Sequence, residues 1–191
     1  MKTLGSIILA FITTALFISP SFADTWTLDS ADSSLHFISI KKGDIAEVHH
    51  FKTLSGSIAE DGKASLVIDL ASADTKVAVR DERMTNILFE AKKFTTATAS
   101  IDLGTGERPV GRTTVKVTLD LHGVKKEVEA QVVVSVSDKY VSVTTVAPVI
   151  ISAADFGLDA GVEKLRELAK LDAVSKAVPV TFHLVFKKVK K

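Results

Sequence analysis

A two-residue rhythm restricts this chain more than any other feature. In "TTVKVTLDLHG" (Thr113 to Gly123), Val115, Val117, Leu119 and Leu121 fall on one face. Thr114, Lys116, Thr118, Asp120 and His122 fall on the other. "EVEAQVVVSVS" places Val128, Ala130, Val132, Val134 and Val136 together, and "VTFHLVFKK" does the same with Val180, Phe182, Leu184 and Phe186. "SLVIDL" repeats the pattern with Leu66, Ile68 and Leu70. Side chains alternate across a strand, so these segments read as antiparallel strands with one dry and one wet face.

Turn residues separate the strands. Asp61-Gly62 reads as a hairpin, and Gly104, Gly106, Pro109 and Gly111 mark a longer loop. Ser137-Asp138-Lys139 parts two valine-rich strands. His122-Gly123 sits between two segments whose apolar faces can pair, so it reads as a bend that uses the backbone freedom of glycine.

Two segments leave the rhythm. "VRDERMTNILFEAKKF" carries Val79, Arg83, Met84, Ile87 and Leu88 at helical spacing, with acids early and lysines late, as the helix dipole favours. "DAGVEKLRELAKLDAVSKA" carries Val162, Leu165, Leu168, Ala169 and Leu171 on one stripe. Each is an amphipathic helix expected to pack on the sheet. The expected fold is mainly β, one domain with eight or nine short strands and two helices, closed as a barrel or stacked as a sandwich. A barrel of about eight strands is wide enough to hold one small ligand. The inward residues are Val, Leu, Ile, Ala and Phe, a pattern that fits a greasy cavity and a filled core equally well.

Residues 1–23 stand apart. Met1-Lys2 precedes an apolar run from Leu4 to Ile18, and Ser21-Phe22-Ala23 ends small-x-small. This is the pattern of a secretory signal peptide cut between Ala23 and Asp24. The run is shorter than the roughly 20 residues a membrane span needs. The expected mature chain, residues 24–191, is soluble, without a membrane span, and exported. Lys2 is one of 24 Lys and Arg, which leaves 23 against 23 Asp and Glu and gives no support for nucleic-acid binding. The chain has no cysteine, which removes thiol catalysis and thiolate metal sites.

The search for chemistry returns little. His49 and His50 are strand neighbours and point to opposite faces, which suits joint chelation poorly. His36, His122 and His183 are out of phase with their apolar neighbours and are expected to face solvent. There is no nucleophile elbow, phosphate loop or dinucleotide fingerprint. Neither catalytic residues nor a metal site nor a cofactor is expected.

Five segments occur in a telling order: "WTLDSADSSLHF", "HFKTLSGSI", "RDERMTNILFEAKKFTTAT", "LDLHGVKKEV" and "ADFGL". With the signal-like start, they make the chain resemble the YceI-like family of periplasmic polyisoprenoid-binding proteins, over residues 24–188. The resemblance implies a lipocalin-like antiparallel barrel closed at one end by a helix, and an apolar tunnel for a long isoprenoid. It implies that Gly123 is the family's turn glycine and that Arg80-Asp81 opens the capping helix. Departures occur at Asp32, His50, Phe94-Thr95, Ala99 and Ala153, where the family usually carries His, Gly, Tyr-Pro, Phe and a basic residue.

The resemblance and the strand parities together name candidate lipid-binding residues: Leu88, Phe89, Phe94, Ala99, Ile101, Val117, Leu119, Val132, Phe182 and Leu184. Arg80 and His50 are the polar candidates for the barrel mouth. The expected partner is a hydrophobic small molecule, an isoprenoid or a quinone, bound as ligand in the periplasm. A homodimer stays open. So do two other roles, a stress-related interaction module with a filled barrel and an enzyme acting on an isoprenoid at the mouth. Exported protein is expected to begin at Asp24; intact-mass measurement checks this, and a retained hydrophobic segment would contradict it.

Overall fold

The computed structural model describes residues 25–106 and 108–189. The expected signal peptide and its cleavage point lie outside the described residues. Twelve strands form one sheet. They are β1 (Trp26–Leu28), β2 (Ser34–Lys41), β3 (Ile45–Phe51), β4 (Leu54–Ile58), β5 (Lys63–Asp69), β6 (Ala73–Asp74), β7 (Thr96–Asp102), β8 (Gly111–Leu121), β9 (Val124–Val136), β10 (Tyr140–Thr145), β11 (Val149–Ser152) and β12 (Ala177–Lys188). Eight of them, in the order β1-β4-β5-β7-β8-β9-β10-β12, close on themselves through a β1–β12 pairing. The expected barrel is therefore present. The strand count exceeds eight or nine because two long strands are broken and two short ones, β6 and β11, pair outside the ring. β1 and β2 both run along β12, separated at Asp29–Ser33, and β3 continues into β4 across Lys52-Thr53.

The alternation read from the sequence sets the faces. In the β8–β9 hairpin, Val115 opposes Ala130 and Val117 opposes Val128 on the inside. On the outside, Lys116 reaches Glu129 at 3.2 Å and Glu127 at 3.4 Å. The hairpin turns on His122 (φ 54°) and Gly123 (φ 77°). Two consecutive positive φ angles define the mirror-image turn that matches strand twist, which is why glycine is wanted there. A Cβ on Gly123 would also lie 2.8 Å from the Phe94 ring.

His122 departs from expectation. Its side chain is only 13% exposed, because the turn folds it over Phe94 at 4.2 Å between ring centroids. Its Nε2 pairs with Glu90 Oε2 at 2.9 Å.

The two helical segments lie where the rhythm breaks. The first is shorter than expected: α1 (Ala78–Arg83) runs directly into one wider π-type turn, Met84–Leu88. The turn closes with Phe89 N–H donating to Met84 O at 2.9 Å, five residues back. The extra residue per turn rotates the stripe, burying Met84 and Phe89. The second segment, α2 (Asp159–Leu168), packs Gly161 closely against Leu88, where a Cβ would lie 3.0 Å from the Leu88 Cα. Val162 is buried, whereas Leu168, assigned to the same stripe, is 39% exposed. No helix among the described residues is long and apolar enough to cross a membrane.

Strand phase has a direct test on β8. Leu119→Lys is expected to destabilise by more than about 2 kcal/mol, since an ammonium would enter an apolar interior. Asp120→Lys, one residue on, is expected to stay within about 1 kcal/mol, including the repulsion from Lys125 opposite. Chemical denaturation checks both; equal losses would show that the two faces are not distinct.

Candidate functional site

The inner faces enclose a cavity of about 800 Å³. Ala64, Leu66 and Ile68 of β5 line it, as do Ala97, Ala99 and Ile101 of β7 and Val115, Val117 and Leu119 of β8. Val141 and Val143 of β10 and Phe182, Leu184 and Phe186 of β12 complete most of the wall. The helical segments contribute Met84, Leu88, Phe89, Val162 and Leu165. The volume falls within the range of about 300–1,000 Å³ typical of small-molecule sites. The small inward residues of β5, β7 and β9 (Ala64, Ala97, Ala99 and Ala130) help to leave this room.

The wall is polar mainly at one place. On β2 the inward residues run Leu35, Phe37, Ser39, Lys41; on β3 they run Phe51, His49, Glu47. Each ladder passes from apolar to charged in the same direction. Arg80 of α1 joins them. Its Nη1 donates to Glu47 Oε2 at 2.6 Å and its Nη2 to the Thr75 carbonyl at 2.8 Å. Lys41 Nζ donates to the same Glu47 oxygen at 2.8 Å. These hydrogen bonds, led by that from Lys41, hold the Glu47 carboxyl below its usual range against the opposing effect of burial. Asp81 anchors the start of α1, accepting from Thr75 N–H at 2.8 Å and Thr75 Oγ1 at 2.5 Å.

His49 is 3% exposed. Its Nε2 lies 2.8 Å from Ser39 Oγ, and its ring packs on Phe37 at 5.3 Å between centroids. Burial pushes its pKa below the ordinary 6.5, with the Arg80 charge acting the same way and Glu47 and Asp81 pulling back. The imidazole is therefore neutral at pH 7. Its Nδ1 and Arg80 Nε are both buried and find no hydrogen-bond partner among the described residues. The Trp26 indole N–H, elsewhere on the wall, is likewise unpartnered.

Of the residues singled out from sequence, Leu88, Phe89, Ala99, Ile101, Val117, Leu119, Phe182 and Leu184 stand on the cavity wall, as does Arg80. Three do not. Val132 is fully buried within the wall and does not reach the cavity surface. Phe94 is partly buried and does not line the cavity; its ring packs against the His122-Gly123 turn. His50 faces outward, with Nε2 at 3.9 Å from Asp74 Oδ2 and its ring beside His36. Its neighbour His49 takes the inward position, as alternation on one strand requires. His183 pairs with Thr144 at 2.7 Å. No group of three or more His, Cys, Asp or Glu side chains among the described residues is placed to hold a metal ion. Sequence reasoning missed His49, Ser39 and Glu47; the signal for them was their shared parity with Phe37 and Phe51.

A closed antiparallel barrel around an apolar cavity, with helical segments packed on it, defines the lipocalin-like class. Residues 26–186 match the YceI-like domain, and the chain belongs to that family. It is similar to a polyisoprenoid binding domain from Saccharophagus degradans implicated in plant cell wall breakdown. That similarity is 40% identity over 86% of this chain and 98% of that one, with a TM-score of 0.79. BcnA of Burkholderia cenocepacia shares the fold at 22% identity and TM-score 0.67, over 83% of this chain and 98% of its own. The Campylobacter jejuni YceI protein shares it at 17% identity and TM-score 0.53, with both chains covered over 100% of their length. No curated protein matches the chain.

The lowered pKa of His49 has a consequence for stability. The unfolded imidazole takes its proton near pH 6.5 and the folded one only at lower pH. The unfolded state thus binds more protons in that window, and stability falls as pH drops from about 6.5 through the folded value. Denaturation at pH 7.5 and pH 5 is expected to show this loss in the wild type and a smaller loss in His49→Gln. Equal losses would place the pH-sensitive group elsewhere.

Proposed function

We propose that this protein is a periplasmic carrier that holds an isoprenoid or similar long-chain amphiphile, quinones included, in its barrel and catalyses no reaction on it. The observation that carries the reading is the cavity of about 800 Å³, apolar along the strands and charged where β2, β3 and α1 meet. That arrangement suits a molecule with a long greasy tail and one polar end. The polyisoprenoid-binding name of the relative 40% identical supports the tail chemistry. The signal-like start of the chain supports the compartment.

The energetics favour a tail over a small solute. Each ~100 Å² of tail removed from water contributes about 2.5 kcal/mol. Association costs several kcal/mol in lost freedom. Affinity therefore climbs with chain length until the cavity is full, and specific polar contacts are not needed for tight binding. A filled-barrel interaction module has no use for such a volume.

Purified protein extracted with organic solvent is expected to release a hydrophobic molecule visible by mass spectrometry. An empty extract, together with no affinity for isoprenoids of any length, would overturn the proposal. A second measurement uses Ala99, which stands between Leu66 and Leu119 on the wall. Ala99→Phe is expected to keep the thermal midpoint nearly unchanged while selectively weakening the longest isoprenoids. Overpacking of a filled site would instead cost about 1–3 kcal/mol and lower the midpoint.

A further inference from the structure

Residues that are exposed to solvent and also line the cavity mark where it opens. Val77, Val79 and Ala169 are such residues. They belong to two segments that flank the tip of the β2–β3 hairpin. On one side Arg80 and Lys41 share the Glu47 carboxylate, which ties the start of α1 to the hairpin. On the other, Lys42 N–H donates to the Ala173 carbonyl at 2.9 Å, and Lys41 forms a β-bridge with Val174. The three segments therefore make one rim. Its apolar side chains stand out in water: Val77 is 44% exposed and Val79 53%, with Ile45 and Leu168 exposed on the same segments.

Each segment also presents a lysine in an unusual backbone state. Lys42 (φ 53°), Lys76 (φ 61°) and Lys170 (φ 52°) are three of the five non-glycine residues with positive φ among the described residues. Glycine is the residue at ease there, so lysine at all three places runs against local stability. The backbones are pinned: Lys76 N–H donates to Asp74 Oδ1 at 2.7 Å and Lys170 N–H to the Glu167 carbonyl at 3.0 Å. All three residues are exposed, and none enters a salt bridge among the described residues, whereas Lys41 and Lys176 nearby each have a carboxylate partner.

Resting on the carrier reading for its purpose, we propose that this rim is a membrane-docking surface. Ile45, Val77, Val79 and Leu168 enter the interface of a phospholipid bilayer while the three lysines reach its phosphates. Aliphatic residues fringed by lysines make an interfacial anchor, because a lysine stem lies along apolar surface with its ammonium at headgroup level. The patch surrounds the opening of an apolar cavity, so a docked barrel receives a tail from the bilayer without passing it through water. Asp44 and Asp172, exposed on the same segments, oppose part of the attraction to anionic lipid. The apolar contacts therefore carry most of the binding, and the lysines orient it.

The experiment measures cosedimentation of the exported protein with vesicles of phosphatidylethanolamine and phosphatidylglycerol. Val77→Asp and Val79→Asp are each expected to weaken vesicle binding about tenfold, from lost apolar burial and a charge placed in the interface. Val110→Asp, at a valine 66% exposed just before β8 at the opposite end of the barrel, is expected to leave it unchanged. Lys76→Gly and Lys170→Gly are each expected to weaken it roughly threefold, less than a lysine's full effect at an anionic surface because of the two aspartates. Their thermal midpoints hold or rise, since glycine suits the backbone there, so unfolding does not explain the loss. In the same two variants, affinity for tetraprenyl alcohol presented in detergent stays within about twofold of wild type while uptake of the alcohol from vesicles slows roughly threefold. Equal vesicle binding by wild type, Val77→Asp and Val79→Asp, or an equal loss in Val110→Asp, would overturn the docking rim and leave the carrier reading standing. Wild-type protein that stays off vesicles but self-associates, with association lost in Val77→Asp, would make the rim a contact between copies instead. Vesicle binding that follows the rim variants, with no uptake of the alcohol from either source, would overturn the carrier reading and leave the membrane contact in place.

Discussion

The seam between β1 and β12 is the contact on which everything else depends. Trp26, Thr27 and Leu28 pair with Lys188, Lys187 and Phe186, while the other edge of β1 pairs with β4. With the seam closed, each strand of the ring has neighbours on both sides, so the ring itself has no free edge. Closure also turns eight separate apolar faces into one enclosed surface. Both ends of the described chain are drawn into it. Val189 N–H donates to the Thr25 carbonyl at 2.9 Å, and Lys187 bonds to Asp29 and Asp32 in the break between β1 and β2.

A closed barrel does not by itself create a cavity; eight strands can also be filled by their own side chains. What keeps space here is the distribution of volume. Parts of the wall are packed completely: Leu70, Val132 and Phe156 are fully buried. Along β5, β7 and β9 the inward positions include Ala64, Ala97, Ala99 and Ala130, which extend little toward the axis. Dense walls around a sparsely filled centre allow the barrel to be stable while its interior stays open to an apolar guest.

Much of this was legible from the alternation. β7, β8, β9 and β12 have strict parity because a slip of one residue would turn a whole valine-rich face to water. Parity placed Ala99, Ile101, Val117, Leu119, Phe182 and Leu184 on the cavity wall, while Val132, of the same inward phase, is buried within the wall itself. β3 was not legible. In "IAEVHHF" the apolar residues Ile45 and Val48 are exposed, and the inward set is Glu47, His49 and Phe51. The apolar residues of β3 fall on both faces, Ile45 and Phe51 on one and Ala46 and Val48 on the other, so only the parity shared with Phe51 marked His49; His50 was singled out as a departure from the family pattern. The π-type turn at Met84–Leu88 was equally hidden. A five-residue step looks like ordinary helical spacing over so short a stretch, yet it ends on Phe89, which lines the cavity.

The strand that breaks the pattern is also the strand that carries the polar end, and the two facts share a cause. A barrel maintained only for its stability would place apolar residues at 47 and 49, where a partly buried carboxylate and a fully buried imidazole stand instead. Glu47 is retained at the expense of two cations arranged around one oxygen, and α1 is positioned to supply one of them. His49 is retained with half of its hydrogen-bonding capacity unused. Local conflict of this kind, set inside a fold that is otherwise self-consistent, is where function is normally found. The apolar length of the barrel accounts for affinity in general; the few residues on β2, β3 and α1 that oppose it are the part of the molecule able to distinguish one amphiphile from another.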